Sequence, residues 1–95
     1  MQFILTGYDG KDDGALERRM AAREEHLENA GKLKEAGNLI WGGAILDDNG
    51  QMAGSVVVYE FETKEELERM LETEPYILGR VWKDIDIKPF RLASL

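Results

Sequence analysis

The sequence predicts an α+β fold, a four-stranded antiparallel sheet with two helices on one face, in the order strand, helix, strand, strand, helix, strand. Three observations carry this. Short runs rich in strand formers lie at Phe3–Thr6, Asn38–Leu46, Ser55–Phe61 and Val81–Phe90. Longer segments with helical spacing separate the first run from the second and the third from the fourth. Between the middle runs, Asp47-Asp48-Asn49-Gly50 is hairpin chemistry, because Asn-Gly tolerates the positive φ of tight turns, so those two strands should pair antiparallel.

Each element has its own signals. Phe3-Ile4-Leu5-Thr6, stopped by Gly7 and Tyr8-Asp9-Gly10, reads as an inner strand. Asp12 and Asp13 are good N-caps for the first helix, whose apolar stripe runs through Leu16, Met20, Arg23, Leu27, Ala30 and Leu33. Gly37 ends that helix as its C′ residue, with Lys32 and Lys34 near the negative end of the dipole, so the helix stops near Ala36. Gly42-Gly43 suggests a bulge or a close backbone approach in the second strand. Thr63 and Glu66 form a capping box for the second helix, Leu67, Met70 and Leu71 are its apolar face, and Pro75 breaks it. In the last strand Pro89 lies near the end, where a missing donor matters least. This plan is ferredoxin-like. It leaves one sheet face without a helix although Trp41, Trp82, Val57 and Tyr59 must be distributed over both faces, so a second copy of the chain is the expected cover.

Composition narrows the partners. The 95 residues suit one domain, 1–95, burying about two-thirds of the surface its unfolded chain exposes. A net charge of −7 is the wrong sign for general affinity to nucleic acid or an anionic membrane. The charge is uneven: Glu60–Glu74 holds seven acids and two bases, whereas Gly79–Leu95 holds four bases and two acids. There is no cysteine, hence no disulfide and no thiolate, and the acid run is not accompanied by a second histidine, so no metal site is expected. No phosphate-binding loop appears, which leaves a nucleotide cofactor without support. The first residues lack a signal peptide's basic n-region, and no apolar run approaches the roughly 20 residues of a membrane helix, so the expected compartment is the cytoplasm.

One residue can exchange protons near neutrality without help: His26, the only histidine. It lies one position before Leu27, at the border of the apolar stripe, and shares a helix flank with Arg19 and Arg23, seven and three residues earlier. That flank suits an anion beside a base. A plainer reading makes His26 a surface residue beside Glu25, with the arginines paired to glutamates a turn away. Glu74-Pro75-Tyr76 places a carboxylate just past a helix end, where it can orient an imidazole or simply be one more acid at a terminus.

Taken together, Arg23-Glu24-Glu25-His26-Leu27, Ala36-Gly37-Asn38-Leu39-Ile40-Trp41-Gly42-Gly43-Ala44-Ile45, Gly54-Ser55 and Glu74-Pro75-Tyr76 through Pro89-Phe90 resemble the YCII-related family over nearly the whole chain. That resemblance implies a ferredoxin-like fold whose sheets pack face to face as a dimeric α/β barrel. It also implies a pocket between sheet and helices with a histidine–aspartate dyad. His26 matches the histidine; Glu74 stands at the aspartate, one methylene longer, and Ala44 stands where the family often has proline. One branch of the family is similar to a cofactor-free dehydrochlorinase of chlorinated hydroxyquinones. The reading that follows is cofactor-free proton transfer on a small aromatic or anionic metabolite. His26 is the base, Glu74 its orienting carboxylate, Arg19 or Arg23 the anion site, and Tyr8, Tyr76 and Ser55 line the pocket. The alternative is a non-catalytic dimeric binding module using the same pocket.

Overall fold

The computed structural model describes residues 1–95. Its elements are β1 (Gln2–Asp9), α1 (Ala15–Glu35), β2 (Leu39–Leu46), β3 (Met52–Glu60), α2 (Lys64–Leu71), α3 (Pro75–Leu78) and β4 (Trp82–Phe90). The sheet is antiparallel in the order β2-β3-β1-β4, which is the ferredoxin-like arrangement with β1 and β3 central.

Period-two alternation sorts the strand residues between two faces. Phe3, Leu5, Val57 and Tyr59 are buried with Leu67 and Leu71 of α2, Tyr76 of α3, and Val81 and Trp82 in one core between sheet and helices. β1 runs through Gly7 rather than stopping there. The reason is packing: a Cβ on Gly7 would lie 2.6 Å from the Trp82 indole, so the missing side chain is the seat of that ring. On the other face Val58 is buried, but Trp41 of β2 remains 42% exposed.

The turn at 47–50 forms as expected, with Gly50 at φ 78° and the Asp47 side chain accepting from the Asn49 and Gln51 amides. β3 starts three residues earlier than its strand formers suggest, because Met52 pairs with Leu46 across a register shift. Gly42 and Gly43 are not the bulge: they pair regularly with Val57 and Val56, and the irregularities fall between Leu39 and Trp41 and between Ile45 and Leu46. Gly42 does mark a close approach, since a Cβ there would meet the Val56 carbonyl at 3.1 Å.

Both ends of α1 are informative. At its C-terminus Gly37 adopts φ 82°, and the Gly37 and Asn38 amides bond back to Lys34 and Leu33 in a Schellman closure. At its N-terminus neither Asp12 nor Asp13 is the cap. Gly14 is, without a side-chain cap bond, because Asp12 is drawn into a two-point pair with Arg18 and only reaches the Gly14 amide at 3.3 Å. The apolar stripe is also displaced. Leu33 of the stripe packs on the core as expected, but Leu16, Met20 and Leu27 are exposed, while Ala15 and Arg19 are buried and Ala22 packs on the core. The helix is thus turned by one residue, about 100°, from the orientation its hydrophobicity suggests.

Thr63 caps α2 by accepting from the Glu66 amide at 3.2 Å, although Glu66 makes no return bond. Pro75 does more than break that helix, since it opens α3 as its first residue. No helix is long and apolar enough to cross a membrane.

Candidate functional site

The rotation of α1 has a chemical cause. Its sheet-facing side carries Arg19 and His26, and each polar head finds a partner there that an apolar residue would leave unpaired. The Arg19 guanidinium donates to both oxygens of Asp9 at 2.9 and 3.1 Å and to Ser55 Oγ at 2.8 Å. Asp9, Arg19 and Ser55 are all buried. Arg19 Nε is left without a partner. Trp82 Nε1 also donates to Ser55 Oγ, at 3.1 Å. Strand β1 positions Asp9 by alternation, on the face that holds Phe3, Leu5 and Gly7. That period is the sequence signal by which this carboxylate could have been found.

One turn along the helix from Arg23, His26 Nδ1 is hydrogen-bonded to Glu74 Oε1. Glu74 is buried, and its placement is local: it is the N-cap of α3, with Oε1 accepting from the Tyr76 amide at 3.1 Å. Asn29 Nδ2 lies 3.4 Å from the second oxygen. The Tyr76 ring stacks on the imidazole at 3.8 Å and 9°, while Trp82 meets it edge-on at 6.1 Å. On the Tyr76 ring also rests the Arg19 guanidinium, 4.7 Å from its centroid. Burial pushes the Tyr76 phenol above its ordinary value, with Arg19 and Arg23 pulling the other way. Burial raises the Tyr59 phenol too, with the Glu74 charge adding to the effect.

These groups border a pocket of about 190 Å³ between α1 and the β2–β3 half of the sheet. Arg19, Arg23, His26, Ser55 and Tyr76 line it, and its apolar walls include Leu27, Leu39 and Val57. Gly42, Gly43 and Ala44 keep the β2 side low. With Nδ1 occupied by Glu74, His26 has only Nε2 to offer a ligand. Arg23 has no ion-pair partner in the chain and is the free cation of the pocket, whereas Arg19 is committed to Asp9 and Ser55. Two sequence expectations therefore change. Arg19 supports the wall instead of presenting a free guanidinium. Tyr8, paired with Gly54 and Asp84, alternates onto the opposite sheet face, is 51% exposed, and lies outside the pocket. No cluster of three or more His, Asp or Glu side chains is placed to hold a metal ion.

Comparison with known proteins places this architecture. Protein YciI of Escherichia coli O6:H1 is 30% identical over 97 residues, covering 96% of this chain and 97% of its own. Among solved structures, 5-chloro-2-hydroxyhydroquinone dehydrochlorinase from Burkholderia phenoliruptrix, in complex with 2,5-dihydroxybenzoquinone, superposes with a TM-score of 0.83 at 22% identity, covering 98% of this chain and 96% of that one. A dimeric ferredoxin-like protein from an uncultured marine organism has a TM-score of 0.54 at 17% identity over 98% and 92% of the two chains. The YCII-related domain matches residues 1–91, from β1 through the whole of β4, and the chain therefore belongs to the YCII-related family.

Proposed function

We propose that this protein is a cytoplasmic homodimer, joined through its helix-free sheet faces, whose pocket carries out cofactor-free proton transfer on a small aromatic, anionic metabolite. The observation that carries the reading is the His26–Glu74 hydrogen bond at the pocket wall. A carboxylate on Nδ1 fixes the tautomer with Nε2 free and stabilises the imidazolium that forms when Nε2 accepts a proton. The Tyr76 ring holds the plane of the imidazole, and Arg23 neutralises charge that develops on a substrate oxygen.

Structural likeness to a dehydrochlorinase favours elimination of HCl as the reaction class. In that step the substrate reacts as its keto tautomer, in which one hydroxyl proton has moved to the chlorine-bearing carbon. Nε2 takes the proton of a second hydroxyl, whose O–H pair becomes a C=O bond, and the adjacent ring double bond shifts toward the chlorine-bearing carbon. Chlorine leaves with the C–Cl pair as chloride, so that HCl is lost and a hydroxyquinone is formed. The dimeric ferredoxin-like neighbour and the exposed Trp41 support the assembly.

The test is chloride release from 5-chloro-2-hydroxyhydroquinone. Wild type should release chloride, His26→Ala should lose essentially all activity, and Glu74→Gln should retain the fold with kcat lowered about 100-fold. Binding of 2,5-dihydroxybenzoquinone with no turnover of any chlorinated hydroxyquinone would favour a non-catalytic binding module.

A further inference from the structure

The hydroxyl of Ser55 has an unusually constrained proton. A serine oxygen offers two acceptor lone pairs and one O–H. Both lone pairs are taken, one by the Arg19 guanidinium at 2.8 Å and one by the Trp82 indole at 3.1 Å. Neither partner can accept in return, since guanidinium and indole nitrogens only donate. The O–H finds no acceptor within the chain, yet Ser55 is buried at the pocket wall. Its anchors are themselves fixed: Arg19 by both oxygens of Asp9, and Trp82 by the space that Gly7 leaves. A cationic donor on the oxygen also polarises the O–H and makes it a stronger donor.

We propose that Ser55 is the oriented donor of the pocket and that it selects ligands bearing an acceptor oxygen, a carbonyl or phenolate, on the side facing β3. The inference rests on the pocket reading above and adds the chemical class of the atom recognised. A ligand presenting an N–H at that point would leave two donors facing each other in a buried site, so it is excluded. During proton abstraction by His26, negative charge accumulates on such an oxygen, and the Ser55 bond strengthens as it does.

Titration with 2,5-dihydroxybenzoquinone tests this. Ser55→Ala should bind it about tenfold more weakly than wild type, and the carbonyl stretch of the bound quinone should lie at higher frequency in the variant. Because Ser55→Ala also removes the acceptor for Arg19 and Trp82, a second measurement uses the unaltered protein. There, saturation with the quinone should bring a slowly exchanging hydroxyl proton into the NMR spectrum, with cross-relaxation to the Trp82 indole proton. Equal affinity in the variant, or no such proton while the quinone occupies the pocket, overturns the Ser55 proposal alone. A wild-type protein that does not bind the quinone overturns the pocket reading and this inference with it.

Discussion

Arg19 shows how far a residue's role depends on what alternation brings opposite it. By spacing it shares a flank with Arg23 and His26; in the fold it is buried and shared between Asp9 and Ser55. Removing one partner of such a pair leaves a buried charge uncompensated, so Asp9→Ala should destabilise the protein by about 3–5 kcal/mol in urea unfolding. A double exchange of Asp9 and Arg19 for apolar residues should recover much of that loss. Arg23→Gln, by contrast, should leave stability nearly unchanged and weaken the binding of anionic ligands, as isothermal titration would measure. The difference was not legible in the sequence, because Arg19 and Arg23 have the same local spacing and only the strand pairing decides which one meets Asp9. His26 and Glu74 were legible as single residues, one as the only histidine and the other as a carboxylate before proline. Their meeting, across 48 residues of chain, comes from α1 lying against α3.

At the scale of elements, strand existence and hairpin pairing followed from local chemistry, and boundaries shifted by a few residues. The orientation of α1 did not follow. Hydrophobic periodicity assumes that apolar residues take the buried side, and here Arg19 and His26 take it because Asp9, Ser55 and Glu74 satisfy them. The short α3 was hidden for another reason: Pro75 is both a helix breaker and a favourable first residue, and Glu74 as cap decides in favour of the second. Gly7 couples β1 to β4 through the seat of Trp82. Gly7→Ala should cost about 1–3 kcal/mol by forcing that ring to move. The altered indole environment should appear in near-UV circular dichroism, because the shift also removes the Trp82–Ser55 bond.

For the whole molecule, the sheet face without helices, where Trp41 is 42% exposed, is the surface on which the proposed assembly depends. In the proposed homodimer a charge placed there opposes burial against the second copy, so wild type should sediment as a dimer and Trp41→Glu as a folded monomer. Dependence on pH should appear at both extremes. The Arg18 guanidinium holds the Asp12 carboxyl well below the usual range, and the N-terminal amine does the same for Glu60. Because both are depressed in the fold, their contribution is present above the ordinary carboxylate pKa and fades as pH falls. Tyr59 and Tyr76 are raised by burial. Their contribution is complete below the ordinary phenol pKa of about 10 and is lost as pH rises beyond it. Phenolate absorbance from these two should therefore appear together with unfolding.

Glu74, Pro75 and Tyr76 hold one imidazole by two different surfaces, the carboxylate at its edge and the phenol ring on its face. Both grips hang from three consecutive residues whose central φ is fixed by a pyrrolidine ring, so they have almost no independent degrees of freedom. Whatever tilts this tripeptide moves the edge contact and the face contact as one body. Exchange of Pro75 therefore loosens both contacts to His26 at once.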